Sequence, residues 1–442
     1  MSNGEPVAAR IQAVSSRAFP PDFLWGTSTS AHQVEGGNDN NDWSEWEEIP
    51  GRIHDGTRAG RACAWWAGMA EEDLAVAARL GQNAHRLGLE WSRLEPEEGR
   101  FDDAAFARYA RILDRMRELG LRAMVTLNHC TLPRWVARAG GWECSAAVTW
   151  FARFARKCLE ALGTRVQLWV TLNEPAAVAG AGYAMAEWPP GRGSIFAGLR
   201  ALSIMLRAHA AAYRTMKDID ALCNVGIVVN APLLEPDRAR AADRIVALLQ
   251  DWSFMGAVIH ALETGMLLPP IRAVPKRVPF LRRSFDFLGL NYYGRYAVRF
   301  DAREQQRLFG RHVQSPTVRG AVVDWGQVSP SGLTRQLLRH ARLRVPLYVT
   351  ENGIANGADS VRNGFLRDHV AAVHEAIQQG ADVRGYFHWS LVDNFEWSEG
   401  WAPRFGLLSL DLATQKRELR PSADAYAAIC RANALEPDHE FR

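Results

Sequence analysis

The sequence predicts an α/β fold, a single-domain (β/α)8 TIM barrel with elaborated βα loops, and three observations carry that reading. Eight short apolar runs alternate with longer amphipathic ones. Polar and aromatic residues collect at the C-terminal ends of seven of the eight short runs. No Gly-rich phosphate loop follows the first run, which disfavours a doubly wound open sheet.

The short runs are residues 23–31, 83–91, 121–129, 166–175, 224–230, 285–293, 346–353 and 385–391. Each has strand length and little polarity inside, as parallel strands covered on the outside by helices require. Between them lie stretches with apolar residues at three- and four-residue spacing: 64–80, 102–119, 146–162, 195–216, 241–263, 332–343, 361–379 and 421–434. The second opens on Asp102-Asp103 and is followed by Gly120, an acidic start and a glycine stop; the third is expected to end the same way at Gly163. Residues 301–324 are polar and irregular and read as one long loop after strand six. Residues 1–17 read as a loose tail, 18–435 as one barrel and 436–442 as a second tail.

Composition excludes several classes of function. The 52 basic side chains nearly balance the 49 acidic ones and form no long run, so neither nucleic acid nor an anionic membrane is expected as partner. No apolar core of signal-peptide length opens the chain, and no run of 18 apolar residues occurs, so a cytoplasmic setting is expected. The six cysteines are scattered without a C-x-x-C pair and read as reduced thiols. No His/Cys/Asp cluster has metal spacing, so no metal and no cofactor are expected. A homo-oligomer stays open. The outlying number is 16 tryptophans, several beside polar groups, an arrangement suited to the apolar face and polar rim of a sugar.

Barrel chemistry sits at the C-terminal strand ends. In order these ends carry Gln33 and Glu35; Arg86, Glu90 and Trp91; Asn128 and His129; Asn173 and Glu174; Asn291, Tyr292 and Tyr293; Glu351 and Asn352; then Trp389, Asp393, Asn394, Glu396 and Trp397. Strand five alone ends blandly, at Asn230-Ala231-Pro232. Glu174 and Glu351 each close an apolar run, three strands apart around the ring, and can face one pocket. Glycoside hydrolysis needs such a pair, one protonated and one ionised. Arg86 and Tyr293 are placed to hold Glu351 ionised. Glu174 has no adjacent cation, so desolvation is expected to keep it protonated.

Five segments, taken together, resemble glycoside hydrolase family 1, the β-glucosidase family. They are Gln-Val-Glu-Gly (33–36), Thr-Leu-Asn-Glu-Pro (171–175), Asn-Tyr-Tyr (291–293), Thr-Glu-Asn-Gly (350–353) and Trp-Ser-Leu-Val-Asp-Asn-Phe-Glu-Trp (389–397), in family order from about residue 19 to residue 434. The resemblance implies a retaining β-glycosidase acting on small β-glycosides, with Glu174 as acid/base and Glu351 as nucleophile. It implies that Asn173 bonds the sugar 2-hydroxyl, that Gln33, His129, Glu396 and Trp397 hold the 3-, 4- and 6-hydroxyls, and that Trp389 lies under the ring. Arg86, Asn291 and Tyr293 then support the nucleophile. A carboxylate at Glu396 disfavours 6-phosphosugars and bridges O4 and O6 whether O4 is equatorial or axial, so glucosides, galactosides and fucosides all fit.

The chain departs from the family pattern mainly on the leaving-group side. Cys130 follows His129 where an aromatic is usual, His388 precedes Trp389, and Trp325-Gly326 reverses the usual order. Cys130 and His388 read as buried structural residues. Trp325 and Trp401 are candidate walls for the aglycone, with plain core packing the alternative. Two other functions use the same barrel: transglycosylation through the same intermediate, and a non-catalytic glycan-binding barrel, which the presence of both glutamates disfavours.

Overall fold

A computed structural model describes residues 17–313, 325–355 and 359–436. All eight expected strands form, and they close one parallel barrel: β1 (Leu24–Ser28), β2 (Ala84–Gly88), β3 (Arg122–Asn128), β4 (Leu168–Asn173), β5 (Val225–Asn230), β6 (Phe287–Asn291), β7 (Leu347–Asn352) and β8 (Val383–Trp389). Each pairs with its sequence neighbours, and β8 closes on β1.

The outer ring is α1 (Ala70–Arg79), α2 (Asp103–Glu118), α3 (Ala147–Leu162), α4 (Ile195–Ile219), α5 (Ala241–Thr264), α6 (Pro330–Ala341), α7 (Asp359–Gln378) and α8 (Pro421–Ala432). Local sequence explains their ends. The Asp102 carboxylate accepts from the Ala104 and Ala105 amides at the start of α2. Gly120 follows α2 in the left-handed region at φ 73°. Gly163 does not repeat that cap: it keeps helical geometry and begins a 3-10 turn, Gly163–Arg165. By length and composition α4 and α5 are apolar enough to cross a membrane, but 67% and 56% of their most apolar windows are buried within the fold.

The core has two layers. Inside the barrel, Leu24, Met124, Leu168, Val170, Val228, Phe287, Tyr348 and Phe387 fill the end away from the strand C-termini. Gly26 and Gly226 leave room for the two phenylalanines, since a Cβ at either would stand 2.7 Å or less from a ring atom of Phe387 or Phe287. Between strands and helices runs a second, larger apolar shell. With the lower barrel filled by hydrocarbon, the polar strand ends are pushed to one face.

Two expectations need correction. The 301–324 stretch is not a single loop. Gly310–Val313 forms a strand antiparallel to Arg295–Phe300, which itself pairs in parallel with Leu233–Pro236, so the chain after β6 builds a small sheet over the rim. Residues 314–324 lie outside the described residues, as do the tails 1–16 and 437–442. Arg17, assigned to the tail, is already ordered: Arg17–Ala18 pairs with Ala434–Leu435. All six cysteines are free, as expected of reduced thiols.

Candidate active site

The strand register breaks where the chemistry sits. Irregularities fall between Val170 and Asn173 on β4, between Leu290 and Asn291 on β6, and between Val349 and Asn352 on β7. Such breaks re-aim side chains. Glu174 then leaves β4 in the left-handed region, at φ 47° and ψ 55°, before Pro175 starts a short helix, Pro175–Val178. A non-glycine residue held there costs about 1–3 kcal/mol, a strain that clusters at functional sites.

Glu351 is gripped at both oxygens. Arg86 donates to Oε1 at 2.5 Å, and the Tyr293 hydroxyl donates to Oε2 at 2.7 Å. Arg86 is fully buried, and its second Nη donates to Asn173 Oδ1 at 2.6 Å. Because a guanidinium only donates, this contact fixes which end of the Asn173 amide is oxygen. Asn291 Nδ2, 3.2 Å from that same oxygen, must therefore be the donor end. It points also at Glu174 Oε1, 2.7 Å away. The same logic makes Asn173 Nδ2 a donor to His129 Nε2 at 3.1 Å, and so places the His129 proton on Nδ1.

Glu174 is held without a cation in contact. Asn291 donates to Oε1, and Asn230 donates to Oε2 at 3.1 Å. Burial raises its pKa, the charge on Glu351 raises it further, and the two amides pull it back; the result is about 8. Desolvation was expected; the push from Glu351 was not. Burial likewise drives His129 well below the usual histidine value, and the Arg86 charge adds to it, so the ring is neutral.

Glu174, Glu351, Asn173, His129, Tyr293, Trp389, Glu396 and Trp397 line one cavity of about 630 Å³. Trp389 and Trp397 flank His129, each with ring centres 6.0 Å away. Trp43 and Trp188 back Trp397. Burial, then the nearby Glu351 charge, raises Glu396 to about 8 against the pull of the Gln33 amide.

Some expected residues sit elsewhere. Gln33 is fully buried behind Glu396: its Nε2 donates to Asn394 Oδ1, the Phe395 carbonyl and Glu396 Oε2, and its Oε1 accepts from Ser30. Its amide ties the β8 loop and holds Glu396, which lines the cavity. Asn291, assigned to Glu351, donates its Nδ2 to Glu174 and Asn173 instead, while its oxygen accepts from the Thr350 hydroxyl at 2.7 Å. Trp401 is not at the mouth. It is buried against Phe395, and its indole donates to the Arg58 carbonyl. Trp325 does line the cavity, edge-on to Phe405. Glu35 and Asp393 are tied away from it, to Tyr109 and Arg93 and to Arg420.

His388 is buried with Nε2 3.3 Å from the Phe405 carbonyl, as a structural histidine should be. Cys130 lies on the cavity wall, its thiol pushed well up by burial and by the two glutamates. The residue sequence reasoning missed is Asn230. An asparagine closing an apolar strand reads as an ordinary cap, and its one signal was its place at the end of the strand beside the one that Glu174 closes.

Comparison with known proteins bears on this geometry. The model of the family described as Glycosyl hydrolase family 1 matches residues 15–435. Beta-glucosidase A of Thermotoga maritima is 32% identical over 95% of this chain and 99% of its own. A beta-galactosidase of Sulfolobus acidocaldarius is 32% identical over 96% of this chain and 97% of its own. A solved Thermotoga maritima family 1 glycoside hydrolase, complexed with a cyclophellitol analogue transition state mimic, superposes with a TM-score of 0.89 at 30% identity, covering 95% of this chain and all of that one.

Proposed function

The chain belongs to glycosyl hydrolase family 1 and is a glycoside hydrolase of β-glucosidase type, and from that premise we propose that it works by double displacement with Glu351 as nucleophile and Glu174 as acid/base. One observation carries this assignment. Glu351 is held by a cation and a phenol that donate to its two oxygens, whereas Glu174 has only amides and is raised to about 8. At neutral pH one carboxyl is ready to attack and the other to donate a proton.

In the first step an oxygen of Glu351 bonds to the anomeric carbon as the bond to the aglycone oxygen breaks. Glu174 gives that oxygen its proton, and the alcohol leaves. The glycosyl ester on Glu351 is neutral, so the charge that raised Glu174 is gone. Its pKa falls, and the carboxylate can take a proton from water as the water oxygen displaces Glu351. The proton cycle thus follows from the same coupling that sets the resting state.

The glycone is proposed to be an unphosphorylated β-D-glucosyl, galactosyl or fucosyl unit over Trp389, with Asn173 at the 2-hydroxyl and His129, Glu396 and Trp397 at the rest. Arg86 is occupied by Glu351 and Asn173, and the one arginine or lysine among the described cavity-lining residues, Arg307, lies 3.5 Å from Glu187. The test is the anomer of the first-formed sugar, followed by NMR on an aryl β-glucoside. The β anomer is expected; α first would reject double displacement.

A further inference from the structure

Beyond Glu174 the cavity runs on into a part that the carboxyl chemistry does not use. The segment leaving Glu174 winds into a π-helix, Ala179–Ala184, and a second π-helix, Trp252–Gly256, interrupts α5; both border the cavity. Single π turns are rare and recur at functional sites. Gly198 lets α4 close on the first of them: a Cβ there would stand 3.0 Å from the Ala179 carbonyl and 3.1 Å from the Ala184 methyl. Small side chains keep this wall hollow.

What faces the hollow is hydrocarbon. Met185, Leu199 and Phe254 line it, and protein covers each only in part. Several large apolar side chains left half-bare around one cavity mark a place for an apolar ligand. Most of the polar groups at its far end are already engaged, Ser253 and Gln306 excepted. Gln250 donates to the Arg307 and Gly310 carbonyls, and its oxygen meets His312 Nε2 at 3.1 Å. Arg307 lies 3.5 Å from Glu187. A second sugar ring would bring several hydroxyls here with few free partners, a costly exchange for water.

We propose that this is a chamber for an elongated hydrocarbon aglycone, so that the preferred substrates are β-glycosides of long-chain or extended apolar alcohols rather than oligosaccharides. The inference rests on the reading of Glu174 as the acid. The leaving oxygen must lie against that carboxyl, and the segment that continues from it, with Asn230 beside it, forms the chamber wall. The cavity of about 630 Å³ contains both the glutamates and this chamber, within the range of about 300–1,000 Å³ usual for small-molecule sites. Aglycone burial then contributes to kcat/KM through contacts remote from the reacting bond.

The test is a steady-state series of ethyl, butyl, hexyl and octyl β-D-glucosides, with cellobiose and p-nitrophenyl β-D-glucoside alongside. Alkyl leaving groups differ little in acidity, so the series reads burial alone. The expected result is a rise in kcat/KM of about 2–4-fold per methylene, with octyl glucoside at least about tenfold above cellobiose. The double variant M185Q/L199Q should flatten the rise, and F254A should shrink it. A flat series, or cellobiose preferred over octyl glucoside, with p-nitrophenyl glucoside still cleaved, overturns the chamber and leaves the catalytic reading standing. No cleavage of any substrate overturns both. The wild-type series decides the matter even if a variant fails to fold.

Discussion

At one end of the cavity the polar atoms joining the two glutamates are committed to one another; at the other, hydrocarbon is left half-bare. Around the two glutamates a chain of donor-only contacts runs from Arg86 through Asn173 and Asn291 to Glu174, and it fixes the orientation of each amide. Around Met185, Leu199 and Phe254 nothing directional is fixed. Chemistry needs charges and protons held in place, and selectivity for an apolar group needs only shape and dryness. The difference also explains how the two ends could be read. Directional bonding requires particular residue types at strand ends, so it writes a pattern. A hollow requires only alanine and glycine on a helix, which look like any helix.

The largest predicted contrast comes from removing the acid. Glu174→Ala should lower kcat/KM for alkyl glucosides by about 10²–10⁴-fold, yet by no more than about tenfold for dinitrophenyl glucoside, whose leaving group needs no proton. Equal losses on both would detach Glu174 from the leaving group, and with it the chamber.

A smaller effect sharpens the polar end. Asn230 donates to the ionised form of Glu174 and so lowers its pKa. Asn230→Ala should therefore move the alkaline limb of kcat/KM upward from about 8, by about half a unit to one unit. A limb that stays put, or moves down, would make Asn230 a bystander.

The smallest effect is on stability. Folded Glu174 titrates near 8 rather than at the ordinary 4.5. Between those values the unfolded chain ionises while the folded chain does not, so this group's contribution is whole below 4.5 and lost as pH rises toward 8. Glu174→Gln removes that loss. Its melting temperature should match the wild type at pH 4 and exceed it by at least about 2 °C at pH 8. A gap that shrinks with rising pH would contradict the raised pKa.

The barrel was legible because a closed parallel sheet buries every strand on both faces, which leaves eight short apolar runs in the sequence. Glu174 and Glu351 were legible because a carboxyl rarely ends such a run without a task. Asn291 was found but given the wrong partner, since no sequence shows which way an amide turns; the Asn173 oxygen, fixed by Arg86, decided it. Gln33 was read as a hydroxyl-binding residue; what the sequence did not show is that its amide donates to three acceptors, Glu396 among them. The hairpin at Gly310–Val313 was hidden because that strand is only four residues long and reads Gly-Arg-His-Val, too short and polar to stand out. Trp401 stayed open between aglycone wall and core packing, because the Arg58 carbonyl that anchors its indole in the interior lies 343 residues away in sequence.

The central claim is the division of labour between the two carboxyls, and azide rescue tests it most directly. Glu351→Gly should be inactive on aryl β-glucosides and regain turnover with azide, which enters from the face the carboxylate used and yields the α-glycosyl azide. A β-glycosyl azide from this variant, or turnover without azide, would contradict the assignment of Glu351 as nucleophile.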